Sequence, residues 1–320
     1  MPKKILIDQT DLLFHVSPHL QKIAAKSKAV KRQFYPSPEE NNISNSSFAD
    51  PLAEDEHSPV KGLVYKYPGR VLILLTMTCA AYCRFCTRRR IVSDLKKGVI
   101  TEDHIKEMKK FLLSHPEISE IIFSGGDPVT QPKLLKFALK TLGALKQIKI
   151  IRIHTRTPVA NPILITDDLV AALAKVKQPL YISVHFEHPD EITKPTIQAI
   201  TKLRKIGAIM LSQSVFLKGV NDSYEILFKL YSRLVEIGVR PYYIFDCDPT
   251  NGVQHFKVPI QQARTIMTQL KSTLSGIACP TFVIDAPQGF GKIPVPLDYW
   301  QADLNKFTDF QNLKHQAILK

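Results

Sequence analysis

Three of the five cysteines in this 320-residue chain, Cys79, Cys83 and Cys86, lie within one short run spaced C-x3-C-x2-C. A loop with that spacing can turn three thiolates onto one centre. A 4Fe–4S cluster normally takes four protein thiolates, and no fourth cysteine is nearby. With three, one iron keeps a position open for a small molecule. The residues alone leave two other readings, a Cys3His zinc site and three unrelated buried thiols. Cys247 and Cys279 stand apart, and an odd count in a chain without an export signal argues against a disulfide framework.

Other residue types stand where chemistry could use them. Ser124-Gly125-Gly126-Asp127 follows an apolar run and, taken alone, reads as a strand-ending turn. Gly291-Lys292 puts a primary amine on a glycine-bearing loop. It is not a P-loop, because the first glycine is missing and Ile293 stands where Ser or Thr should hold magnesium. Arg88 supplies a planar, two-pronged donor suited to a carboxylate, while Arg89 and Arg90 read equally well as surface charge. Asp248 and Asp285 would attract one cation and repel an acidic side chain. Asp246 shares a face with Asp248 in an extended strand and competes for the same role. His185 and His188 form an H-x-x-H without a third ligand, which does not make a metal site.

The elements that must position these residues begin near residue 70. Short β-branched runs at 71–76, 120–124, 148–154, 180–185, 209–215, 241–245 and 281–285 read as strands. Helical periods lie between them near 102–114, 132–145, 166–176, 191–206, 223–237 and 259–273. Six strand–helix units predict right-handed crossovers and a parallel sheet that curls into a full or partial barrel. The candidate residues fall at or just after strand C-terminal ends, where parallel α/β enzymes place their sites. Residues 1–65 read as an extension, polar and irregular after an opening helix. Residues 66–296 form the core, and 297–320 a tail.

Composition sets bounds. With 44% hydrophobic and 22% charged residues, the chain is neither disordered nor fibrous. No apolar run near a terminus reaches the ~18–20 residues of a membrane span, and residues 1–8 meet acid too soon for a signal peptide, so a cytoplasmic enzyme is expected. The net charge of +14 suits nucleic acid or small anions, but no nucleic-acid-binding motif accompanies it.

The cysteine loop resembles the signature of the radical S-adenosylmethionine enzymes, and Ser124, Gly125, Gly126 and Asp127 resemble the segment that receives the cofactor's methionine amino group. A narrower resemblance, to the lysine 2,3-aminomutase family, covers most of residues 62–296. It is carried by Tyr67-Pro68-Gly69-Arg70, Cys86-Thr87-Arg88-Arg89-Arg90, Arg156-Thr157-Pro158 and His185-Phe186-Glu187-His188-Pro189. Further matches are Gln213-Ser214-Val215, Gly219-Val220-Asn221-Asp222, Arg240-Pro241-Tyr242-Tyr243 and Asp285 to Lys292.

This resemblance implies a partial (β/α)6 barrel, an isomerase that converts L-lysine to β-lysine by 1,2-amino migration, and three cofactors. A 4Fe–4S cluster would sit on Cys79, Cys83 and Cys86. S-adenosyl-L-methionine would have His185 and Gln213 on its side. Pyridoxal 5'-phosphate would take Lys292 as its Schiff-base lysine, with Tyr67, Arg70 and Lys66 in the region that holds it. Gln288 and Phe290 interrupt the glycine run usual in that last loop. Arg88 matches the arginine for the substrate carboxylate, and Asp248 and Asp285 match the pair that grips lysine's distal ammonium.

A close rival is a branch acting on lysine for, or on, elongation factor P. Family members acting on free lysine usually carry a further C-terminal segment with extra cysteines, and this chain ends at Lys320 without one. Against that, Asp285-Ala286-Pro287 and the Cys86–Arg90 run look more like the free-lysine branch. A nucleic-acid-modifying radical enzyme is the distant rival and has no use for Lys292. Expected partners are lysine or a lysine-bearing substrate and an electron donor. No membrane and no specific nucleic acid are expected, and a homo-oligomer is compatible.

Overall fold

The computed structural model describes residues 12–92, 99–300, 305–309, 311 and 313–317. The start of the chain, on which the signal-peptide reading falls, lies outside them. A nine-stranded sheet runs in sequence order: β1 (Leu63–Tyr67), β2 (Arg70–Thr76), β3 (Glu120–Gly125), β4 (Ile150–Thr155), β5 (Leu180–His185), β6 (Ile209–Val215), β7 (Arg240–Phe245), β8 (Thr281–Ala286) and β9 (Gly291–Pro294). β2 to β8 are parallel, and β1 and β9 pair antiparallel at the two edges. The two edge strands do not pair with each other. Six crossovers therefore give an open (β/α)6 partial barrel, and one cavity receives side chains from all nine strands, which a flat sheet could not arrange.

Two short helices, α1 (Pro18–Ala24) and α2 (Lys28–Phe34), precede the sheet. α3 (Glu102–Leu113), α4 (Pro132–Leu142), a single turn α5 (Thr157–Ala160), α6 (Asp167–Leu173), α7 (Lys194–Lys205), α8 (Tyr224–Glu236) and α9 (Ile260–Thr273) lie in the crossovers. Thr101, Thr166, Thr193 and Ser223 cap α3, α6, α7 and α8, each stabilising its helix by about 1 kcal/mol. The period predicts a helix from residue 191. It starts instead at Lys194, because His188 and Glu191 close a separate 3-10 turn and Thr193 provides the cap. The apolar stripe of α9, Ala263, Ile266, Met267 and Leu270, is buried at the spacing that faces a helix toward a core.

Strand alternation divides the two faces. In β4, Ile151, Ile153 and Thr155 are buried, and the first two join the core beneath the helices, while Arg152 and His154 line the cavity. The same two-residue period sends Phe123 outward and Ser124 inward, and Ile182 and Val184 outward with His185 inward. A separate ribbon, β10 (Lys306–Thr308) with β11 (Lys314–Gln316), follows the sheet.

The N-terminal extension packs on the cysteine loop. Val16, Leu20, Ala24, Val30 and Phe34 cluster with Ala80, Ala81 and Ala160. The loop's own amides are satisfied there, with Tyr82 N donating to His15 O at 3.0 Å and Arg84 N to Gln33 O at 2.8 Å. A buried backbone donor needs such a partner, so the extension fixes the course of the loop. No helix among the described residues is long and apolar enough to cross a membrane.

Candidate active site

A cavity of about 380 Å³ opens at the C-terminal edge of the parallel strands. Cys79, Cys83 and Cys86 lie on one wall, Lys292, Asp285 and Asp248 on another, with Arg88, Ser124, Gly125, Gly126, Asp127, His185, Gln213, Tyr67, Arg70 and Lys66 between them. All the residues singled out for the cluster, cofactors and substrate therefore face one space. Asp246 and His188 do not line it. Asp246 is tied to Lys257, and His188 closes its own turn by accepting from Asp190 N at 3.2 Å.

The three cysteines are half-buried, and loss of solvent around the thiols is the main cause that pushes each of them up, Cys86 to about 11. Each also feels another cysteine or a nearby guanidinium. Arg156 donates to Cys83 Sγ at 2.8 Å and is itself held by Glu191 at 2.8 Å and by Gln33. Among the described residues no three His, Cys, Asp or Glu side chains converge as one metal ion requires, so the Cys3His zinc reading finds no fourth ligand. The three cysteines nonetheless stand on one loop and all line the cavity.

The glycines at the end of β3 have a structural reason of their own. Gly125 has φ +119, and a Cβ there would fall 2.3 Å from Thr76 O; one on Gly126 would fall 2.5 Å from Thr78 O. Both let β3 press against the segment that leads into the cysteine loop. Asp127 accepts from Thr155 Oγ1 at 2.8 and 2.9 Å, Arg156 N at 2.7 Å and Val129 N at 3.1 Å. These three donors occupy its carboxylate, and what the segment offers the cavity is mainly backbone and Ser124.

The opposite wall is built by a hairpin that the spacing does not announce. β8 and β9 pair so that Asp285 and Lys292 are direct cross-strand partners, and their side chains form an ion pair. Gln288 and Gly289 in the connecting loop and Gly291 at the start of β9 take positive φ of 59°, 88° and 97°. Gln288 thus adopts the turn conformation without glycine's freedom, and the interrupted glycine run still turns. Lys292 Nζ sits 5.0 Å from the Phe245 ring centre.

Electrostatics sort the walls by charge. Burial and then Asp285 push the Asp248 carboxyl up to about 7; no described residue pairs with it. Burial, followed by Arg156, holds His185 down at about 4, and burial drives His154 well below its usual value, so both imidazoles are neutral at pH 7. Burial also lowers Lys66. Arg70 stacks 4.0 Å from the Tyr67 ring, and the Tyr67 hydroxyl is buried without a partner among the described residues.

Glu54 and His154 carry no local sequence signal, and the Arg156-Thr157-Pro158 match does not announce which side chain Arg156 meets. Glu54 binds Arg88 through Nε at 2.8 Å and Nη2 at 2.6 Å. Arg156 reaches Cys83, and His154 enters the cavity beside Arg152 at 3.1 Å. The neighbours of Arg88 are equally committed. Arg89 is buried on Glu40 at 2.7 Å, and Arg90 pairs with Asp50 and Asp55, both at 2.9 Å, so neither is idle surface charge.

Comparison with known proteins agrees with this geometry. Residues 73–230 match the Radical SAM superfamily. A solved radical SAM methyltransferase from Sphaerobacter thermophilus superposes with a TM-score of 0.51 at 16% identity, covering 71% of each chain, which is a likeness of fold. The L-lysine 2,3-aminomutase of Fusobacterium nucleatum is 39% identical over 271 residues, 84% of this chain and 63% of its own length, so the chain spans somewhat under two thirds of that relative. A putative L-lysine 2,3-aminomutase of Treponema pallidum is 36% identical over 88% of this chain and 80% of its own. With identity at that level over more than four fifths of its length, the chain belongs to the lysine 2,3-aminomutase family of radical S-adenosylmethionine enzymes.

Proposed function

We propose that this chain is a pyridoxal phosphate-dependent lysine 2,3-aminomutase that moves the α-amino group of L-lysine to C3, giving β-lysine. The observation that carries the reading is Asp248, a cavity carboxyl with no ion-pair or hydrogen-bond partner among the described residues, raised to about 7 by burial and by Asp285. Such a group is best stabilised by a cation. Arg88 in the same cavity supplies the complementary donor for a carboxylate, so together they describe an amino acid with a cationic tail.

The family's 4Fe–4S cluster and S-adenosylmethionine would supply a carbon radical able to take hydrogen from C3, and pyridoxal phosphate the carbonyl that lets the nitrogen migrate. The residues fit those groups. Cys79, Cys83 and Cys86 would hold the cluster, with Arg156 donating to one sulfur, a contact that tunes such centres. Ser124, Gly125, Gly126, Asp127, His185 and Gln213 line the cavity beside it and would cradle S-adenosylmethionine, the neutral His185 adding a hydrogen-bonding group without charge. Arg70, which makes no ion pair with any described residue, would meet the phosphate with Lys66 and the unpartnered Tyr67 hydroxyl. Lys292 offers the amine.

Asp285 now has Lys292 as its counter-ion, so an entering ammonium meets Asp248 first and shares Asp285 with the lysine. Val64, Tyr82, Phe85 and Val215 close the remaining walls and keep water from a reactive centre. Norleucine, which is lysine with the tail ammonium replaced by hydrogen, tests the reading. The reconstituted enzyme should prefer L-lysine by on the order of 100-fold in kcat/KM, as expected for a buried charge pair. Equal turnover of norleucine, or preferential turnover of L-glutamate, would overturn it.

A further inference from the structure

Nothing in the spacing of residues 50–58 marks them as part of the site, yet this turn enters the cavity. Glu54 is almost fully buried, and its two oxygens cover the Nε–Nη2 edge of Arg88 at 2.8 and 2.6 Å. Arg88 Nη1 donates to Gly125 O at 3.0 Å and, at a long 3.4 Å, to Ser124 Oγ. A guanidinium has five N–H donors. Once the long contact is released, Nη1 and Nη2 each keep one hydrogen on the remaining edge, and those two make a second fork for one carboxylate.

The turn is built to stay in place. Ala53 takes φ +49, a conformation residues with a Cβ rarely adopt and one that concentrates at functional segments. Neighbouring carbonyls anchor it: Ala53 O contacts His57 Nδ1 at 2.8 Å, Glu54 O accepts from Ser58 Oγ at 2.6 Å, and Pro51 O accepts from Gln288 N at 2.8 Å. The last bond ties the turn to the loop that carries Lys292.

We propose that Glu54 is a positioning residue, remaining on the Nε edge of Arg88 and aiming its Nη1–Nη2 edge at the substrate's α-carboxylate. The proposal rests on Arg88 as the carboxylate donor. Its sign is distinctive. Removing the negative charge of Glu54 should strengthen attraction for a carboxylate if charge alone mattered, whereas loss of aim weakens it.

The test compares L-lysine with 1,5-diaminopentane, which lacks the carboxylate, by calorimetric titration of the reconstituted enzyme and by steady-state kinetics. Glu54→Gln should weaken L-lysine binding about tenfold or more and leave diaminopentane within about twofold, with KM rising more than kcat falls. Iron content and melting temperature report whether that variant is intact. If it is not, Glu54→Asp, which keeps the charge but shortens the reach, carries the same expectation. Unchanged or tighter L-lysine binding would overturn the proposal and make Glu54 a displaceable plug. Arg88→Gln separates the two claims. If it leaves the preference for L-lysine over diaminopentane intact, the reading of Arg88 fails. If it abolishes that preference while the Glu54 variants do not, only the positioning role fails.

Discussion

Replacing Asp248 by Asn should make the substrate-free enzyme more stable while disabling it. The Asp248 carboxyl titrates near 7 in the folded chain because burial and Asp285 oppose its charge, against about 3.9 in an unfolded chain. Between those values the folded state binds more protons than the unfolded one, so stability falls as pH rises. Three units at 1.36 kcal/mol each give about 4 kcal/mol, absent below about pH 4 and fully developed above about pH 7. Asn keeps the shape without the charge. The urea midpoints of variant and wild type should therefore coincide near pH 4 and diverge up to that amount at pH 8, the variant being the more stable. L-Lysine should abolish the gap for the wild type by supplying the missing cation, and wild-type kcat/KM should rise with pH through about 7 as Asp248 ionises. Equal midpoints at pH 8, or a less stable variant, would refute the claim that this carboxylate waits for a cation.

Borohydride treatment of the pyridoxal phosphate-loaded enzyme should fix a pyridoxyl group on the peptide bearing Lys292, and Lys292→Ala should lose it; labelling of Lys66 instead would move the amine to the other side of the cavity. Anaerobic reconstitution should give about four irons per chain, and Cys83→Ser should lower that number, whereas stoichiometric zinc without iron would refute the cluster. RNA should bind only in the weak range of about 10⁻⁴–10⁻⁶ M near physiological salt, and nanomolar, salt-resistant binding would favour a nucleic-acid substrate.

The parallel strands were legible because each is a short run of apolar, β-branched or aromatic residues, and β5 and β6 begin and end where the runs do. The edge strands were not. Gly291 and Pro294 bracket β9 and read as loop, and β9 exists because β8 supplies its partner edge. The cysteine spacing, Lys292 and the aspartates announced themselves by type. Asp248 and Asp246 could be separated only by what they touch, since Lys257 takes one and leaves the other to the cavity. Glu54 and Arg156 meet Arg88 and Cys83 across 34 and 73 residues of chain. No local pattern encodes such a meeting; only the packing of the N-terminal extension and of β4 on the cysteine loop creates it.

The central claim is that one cavity carries an amino group between adjacent carbons of a single lysine. Incubating the anaerobically reconstituted enzyme with L-lysine labelled with ¹⁵N at the α-amino group, and locating the label by mass spectrometry, tests it most directly. β-Lysine should form with the label retained on the C3 nitrogen. Unchanged lysine from an enzyme loaded with cluster and cofactors, or a product whose label has been lost to solvent, would contradict it.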